Sequence, residues 1–235
     1  MYQRKEHSNF NYMKVTLQEF FRSLYDNDLK TIIDNPRSIC DISAPDELLQ
    51  CAAVRRDAQT IKMIASPCLK AQTLAILSNP FYIKFIHKPA IKLQILAICK
   101  DSSSIKLIDV PGDEAKFAAV SADPDNIELI DNPEESLQLL AVRKDPGSIE
   151  KIKEPSEKVQ IMAVLQNPEL VFCINKPSEM CIHTAMEEMF RENIYPSKDN
   201  LSHLAEMVRK ASENKNLGFD YKEYLNIEFS KIKKS

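Results

Sequence analysis

Seven prolines recur at a constant interval of 22 residues: Pro45, Pro67, Pro89, Pro111, Pro133, Pro155 and Pro177. Eight positions after each stands an alanine: Ala53, Ala75, Ala97, Ala119, Ala141, Ala163 and Ala185. A fixed period of this length marks an array of supersecondary units, each of which buries its apolar face only against its neighbours. Such a chain builds a stack, and the rest of its pattern says what the unit is.

With the proline as position 1, each unit reads as two helical elements. Proline suits the first turn of a helix, where its missing N–H would have no partner, so a helix is predicted from position 1. An acid two residues later (Glu47, Asp113, Glu135, Glu157, Glu179) meets the positive end of the helix dipole. Apolar residues fill positions 5, 7, 8, 9 and 10, as in Leu137, Leu139, Leu140, Ala141 and Val142. That band is too wide for a one-sided surface helix and predicts one sandwiched between repeats. Position 13 is Asp57, Asn79, Asp101, Asp123, Asp145 or Asn167, followed by proline at Pro80, Pro124, Pro146 and Pro168. Asx before proline reads as an N-cap and first helical residue. The second helix carries apolar pairs at positions 17 and 20, from Ile61 with Ile64 to Val171 with Ile174. Its two turns at most predict a short α or 3₁₀ piece.

The same frame finds Asn35-Pro36, Ile39 and Ile42, so a divergent unit starts near Ser23. It breaks after Ala185, where Met189 and Phe190 replace the Asx-proline start, predicting one longer closing helix over residues 178 to about 194. Three parts follow: an arm and capping helix over 1–22, the array over 23–194, and a helical cap over 195–235. Thr16 is expected to cap a helix through Leu17, Phe20, Phe21 and Leu24. Asn200 is expected to cap one with Leu201, Leu204, Met207 and Val208, ending near Gly218. A last helix carries Tyr221, Leu225, Phe229 and Ile232 on one stripe. The predicted fold is all-α: a right-handed α-solenoid (superhelix) of short helix–turn–helix repeats, α/α or α/3₁₀, with helical caps.

Charge and composition narrow the function. A net charge of −3 gives no long-range attraction for nucleic acid or acidic membranes. No apolar run approaches the roughly 18–20 residues of a membrane span, and the N-terminus lacks a secretory layout, so a cytoplasmic protein is expected. The six cysteines (Cys40, Cys51, Cys68, Cys99, Cys173, Cys181) form no CxxC pair and are read as small buried hydrophobes of a reducing compartment. GxSxG, P-loop, GxGxxG and HExxH motifs are absent, and the histidines are scattered. Cys181 and His183, two apart on a helix, point in different directions. No catalytic, metal or cofactor residue is therefore predicted, and no small-molecule substrate. The chain is expected not to be an enzyme.

A binding surface is the remaining expectation, with another protein as partner. The unit starting at Pro67 departs from its neighbours with Phe81, Tyr82 and Phe85 at positions 15, 16 and 19, and Leu69 and Ile91 replace the usual acids. Rimmed by Lys84, His87, Lys88 and Lys92, these form either a partner site or a seat for the N-terminal arm. Position 18 changes sign along the array, with Lys62, Lys84 and Lys106 followed by Glu128 and Glu150, a strip able to orient a charged partner. Gln50, Gln72, Gln94, Gln138 and Gln160 line up at position 6, read as an amide ladder between repeats, with a peptide-binding groove as the alternative. The competing function is nucleic-acid binding along a basic edge at Arg55, Arg56, Lys100, Arg143 and Lys144.

The stretch Ser156-Glu157-Lys158-Val159-Gln160-Ile161-Met162-Ala163-Val164-Leu165-Gln166-Asn167-Pro168 resembles the leucine-rich variant repeat. It is also similar to short helical repeats of uncharacterised bacterial, phage and large-virus proteins. The resemblance covers about residues 23–194 and implies alternating α and 3₁₀ helices in a superhelix. The chain departs in its shorter period and has no N-terminal cysteine cluster. The family motifs are structural and imply no catalytic residue. The phage-type similarity implies, by analogy, an inhibitor of a host factor.

Overall fold

The computed structural model describes residues 16, 18, 19, 22, 24, 26–194 and 196–212, and no strand occurs among them. They form two compact units divided between Ala122 and Asp123. In the first, α1 (Asn27–Asp34), α2 (Glu47–Arg56), α3 (Leu69–Ser78), α4 (Ile91–Lys100) and α5 (Asp113–Ala122) alternate with 3₁₀ helices η1 (Pro36–Asp41), η2 (Ala58–Met63), η3 (Pro80–Phe85) and η4 (Ser102–Leu107). In the second, η5 (Pro124–Leu129), η6 (Pro146–Lys151) and η7 (Pro168–Phe172) alternate with α6 (Glu135–Lys144), α7 (Glu157–Gln166) and α8 (Glu179–Glu192), and α9 (Lys198–Ser212) follows. Within each unit, each α-helix packs on the next and on adjacent 3₁₀ elements, the architecture of an all-α repeat solenoid.

The period-22 proline does not open its helix. The α-helices begin at position 3, and position 2 is the N-cap: Asp46, Cys68, Ser156 and Ser178 accept from the backbone N–H groups of Leu49, Ala71, Val159 and Cys181. The proline therefore stands one residue outside the cap. Its role there lies in its carbonyl, which the position-6 glutamine occupies as described below.

The Asx residue at position 13 works on both sides. The N–H of Asp57 donates to Ala53 O at 2.9 Å, closing α2, while its Oδ1 accepts from Gln59 N at 3.0 Å, opening η2. Asn79, Asp101, Asp145 and Asn167 repeat both bonds. A short side chain on extended backbone folds back to cap the next turn, which a longer acid or amide does less well. The second element is 3₁₀ in every described repeat, so the residues at positions 17 and 20 superpose, and both are buried from Ile61 and Ile64 to Val171 and Ile174.

Positions 5, 9 and 10 of the α-helices and 17 and 20 of the 3₁₀ elements build the core, and all seven position-9 alanines are fully buried. Two expectations about the interior are corrected. Positions 7 and 8 are sandwiched only in α2, where Cys51 and Ala52 are buried; Ile95, Leu96, Leu139, Leu140, Ile161 and Met162 are half-buried. Position 16 faces inwards, not outwards: Thr60, Ser104, Asn126, Ser148 and Leu170 are buried there. Small polar residues pass unnoticed in a hydrophobicity pattern.

At the N-terminal end, Thr16 N donates to Glu19 Oε2 at 2.8 Å and Glu19 N to Thr16 Oγ1 at 3.2 Å, a reciprocal cap. Leu24, expected on the same apolar stripe, is exposed, and the divergent unit starts instead at the N-cap Asp26. At the other end, α8 is the single longer helix expected, stopped by Asn193 in the left-handed conformation. Leu201, Leu204, Met207 and Val208 are buried, but the cap of α9 is Ser197, whose Oγ accepts from Asn200 N at 3.2 Å. The arm over 1–15, Leu17, Phe20 and Phe21, the end near Gly218 and the helix around Tyr221 lie outside the described residues. The cysteines do not all behave as core: Cys51 and Cys181 are buried, Cys68 is intermediate, and Cys40, Cys99 and Cys173 are exposed.

Candidate interaction surface

The glutamine column is a structural clamp. Gln160 Nε2 donates to Pro155 O at 3.0 Å, and its Oε1 accepts the N–H of Ser178, the N-cap of the next helix, at 2.7 Å. Gln50, Gln94 and Gln138 make the same two bonds, to Pro45 O and Cys68 N, to Pro89 O and Gly112 N, and to Pro133 O and Ser156 N. Gln72 makes the first, to Pro67 O at 2.6 Å. Four of the five amides thus tie their own proline to the following repeat, with both polar ends occupied. Gln160→Leu keeps the volume but strands one donor and one acceptor. The urea midpoint should fall by the equivalent of about 1–3 kcal/mol; an unchanged midpoint would show that the clamp holds nothing together.

The aromatic cluster at η3 is compact rather than open. Phe81, Tyr82 and Phe85 are half-buried, the Tyr82 and Phe85 rings lie 5.8 Å apart, and Lys84 Nζ stands 5.0 Å from the centre of the Phe85 ring. Tyr82 occupies the inward position 16, where its ring is far larger than the serines and threonine of other repeats. Leu69 is 63% exposed, while Ile91 is half-buried. His87 and Lys88 are exposed, and so are Lys62, Lys84 and Lys106 of the first unit and Glu128 and Glu150 of the second, as expected for position 18.

The basic edge is not a continuous free strip. Arg55 and Arg56 both face the fully buried Glu19, Arg55 through a direct Nη1–Oε1 contact and Arg56 with Nη1 4.0 Å from Oε2. These two cations are spent inside the protein. Lys100, Arg143 and Lys144 are exposed.

A surface absent from the sequence-based expectations is the outward side of the α-helices. Positions 7, 8 and 11 of one helix lie on one stripe (i, i+1, i+4), and neighbouring helices repeat it. In the first unit it carries Leu74 and Leu77 on α3, Ile95 and Leu96 on α4, and Phe117 on α5; Leu77 is 46% and Phe117 39% exposed. In the second it carries Leu139 and Leu140 on α6 and Ile161, Met162 and Leu165 on α7, with Leu165 51% exposed. Five apolar positions in a helix that needs only three for its core were the signal in the sequence. Lys92, Lys100, Arg143 and Lys144 flank the stripe.

The second unit also holds a cleft of about 730 Å³ between the loop after η7, the start of α8 and α9, with Phe172, Ile174, Ile182 and Met207 below and Lys176, His203 and Lys210 at its edge. Burial and the neighbouring Glu150 push the thiol of Cys173, which lines it, above its ordinary value. Among the described residues no three His, Cys, Asp or Glu side chains are grouped so as to hold a metal ion, and no helix is long and apolar enough to cross a membrane. Comparison of the chain with protein-family models, curated proteins and solved structures finds no match. The functional reading rests on the chain's own geometry.

Proposed function

We propose that this protein is a non-enzymatic interaction module that holds a partner protein against the outward face of its α-helices. The supporting observation is the apolar stripe at positions 7, 8 and 11, where Leu77, Phe117 and Leu165 stand in water beside half-buried leucines and isoleucines. Exposed apolar area of this kind is retained where it is covered in a complex. The backbone beneath it is clamped by the glutamine ladder, so a partner meets a surface that is already ordered and loses little entropy in binding it. Binding then acts by steric occupancy, as a scaffold, adaptor or inhibitor does. The flanking Lys92, Lys100, Arg143 and Lys144 favour a partner whose contact surface is apolar and edged with acids.

The test is a paired capture. Full-length wild type and the double variant Leu77→Asp, Leu165→Asp are used as bait in the same extract and bound proteins quantified by mass spectrometry. Both positions are about half exposed, so the thermal midpoint should change little. A specific partner should drop at least about tenfold, the equivalent of 1.4 kcal/mol. Equal capture by two equally folded baits would overturn the assignment of this face.

A further inference from the structure

Two of the six cysteines meet across neighbouring repeats. Cys51, on α2, is buried, and the thiol of Cys68, at the N-cap of α3, is its direct neighbour. Their approach is built into the clamp, because Cys68 N–H donates to Oε1 of Gln50, the residue before Cys51, at 2.7 Å. The two thiols differ in their surroundings. Cys68 Sγ accepts the backbone N–H of Ala71 at 3.5 Å at the start of the ten-residue α3, and Lys70, which binds Glu47 Oε1 at 2.6 Å, lies close to both sulfurs. Cys68 is also partly accessible, whereas Cys51 is 5% exposed, and burial first and then the neighbouring Cys68 push its thiol up to about 11.

We propose that Cys51 and Cys68 form a reversible oxidation site, in which Cys68 attacks a small-molecule disulfide such as oxidised glutathione and Cys51 resolves the adduct into a disulfide joining α2 to α3. In the first step the Cys68 thiolate bonds to one glutathione sulfur, the glutathione S–S bond breaks, and the leaving thiolate takes up a proton. In the second, Cys51 gives its proton to solvent and bonds to the Cys68 sulfur, expelling the second glutathione as its thiol. Two protein thiols lose two electrons and two protons, and one glutathione disulfide becomes two glutathione thiols. The order follows from access: a tripeptide reaches the partly exposed sulfur, and the buried one is then presented with an intramolecular target. The bond staples the first two full repeats of the array, whose end is otherwise the easiest part of a linear stack to open.

The test uses the reduced full-length protein equilibrated with fixed ratios of oxidised to reduced glutathione, trapped with N-ethylmaleimide and mapped by peptide mass spectrometry. Wild type should yield a Cys51–Cys68 disulfide lighter by two hydrogens, with little glutathione left on Cys68. Cys51→Ala should stop at the Cys68–glutathione adduct, with a several-fold excess of that adduct over wild type. The oxidised wild type should also melt higher than the reduced form, a shift lost in Cys51→Ala. The exposed Cys40 and Cys99 report that the oxidant is active. Cys68 carrying as much glutathione in wild type as in the variant, or both thiols trapped free while Cys40 and Cys99 are modified, would overturn the proposal.

Discussion

Ala97→Leu should lower the stability of the chain by about 1–3 kcal/mol or more, seen as a fall in thermal midpoint of about 2–4 °C for each kcal/mol. Ala97 is fully buried on α4, which packs against α3 on one side, α5 on the other and against η3 and η4. With neighbours on every side, three extra side-chain carbons can be housed only by off-rotamer side chains or by moving a repeat, and a moved repeat strains its glutamine clamp. The control is Ala65→Leu at an exposed loop position, expected to stay within about 0.5 kcal/mol of wild type. Equal melting of the two variants would mean that the alanine column does not set the approach of the helices.

Glu19→Ala is expected to cost about 3–5 kcal/mol if the N-terminal segment stays docked, because a buried cation is left without its counter-charge. Glu19 is fully buried and accepts from Thr16 N as well as facing Arg55 and Arg56. The Arg56 side chain is only 10% exposed, and burial already pulls its guanidinium below the ordinary value, with Glu19 opposing that pull. A cheaper response is open to the protein: the segment around Thr16 and Arg22 can undock and let the arginines reach water, giving up the 2.6 Å Arg22–Asp46 ion pair. The measured loss is then capped by the docking energy. Hydrogen exchange over α1 and α2 separates the cases, since undocking raises exchange there and leaves the second unit unchanged. Wild-type exchange together with a wild-type urea midpoint would show that Glu19 carries no structural charge.

Local patterns in the chain were strong wherever one short segment closes its own hydrogen bonds. The Asx residue at position 13 has its donor two residues on and its acceptor four residues back, and the five- or six-residue element after it is 3₁₀. The closing helix is equally local, since losing the Asx-proline pair at Met189 removes the break. The proline register was read correctly as a repeat and wrongly as a helix start, because its partner is a glutamine five residues on whose other end reaches into the next unit. The interaction surface was misjudged for the same kind of reason. Ile95 and Leu96 look identical to core residues in a hydrophobicity pattern, and only the packing of adjacent repeats leaves them half-buried. Arg55 and Arg56 read as a basic edge until Glu19, 36 residues away from Arg55, is placed against them.

The periodic residues therefore dictated the unit: an α-helix, a 3₁₀ turn, an alanine at the contact and an Asx at the hinge, all set by interactions within about five residues. Packing of one unit on the next settled which apolar positions remain in water, which cations are neutralised and which two sulfurs touch. Those outcomes depend on distances between atoms 17 or more residues apart, and burial, charge pairing and thiol chemistry respond to such distances rather than to neighbours along the chain.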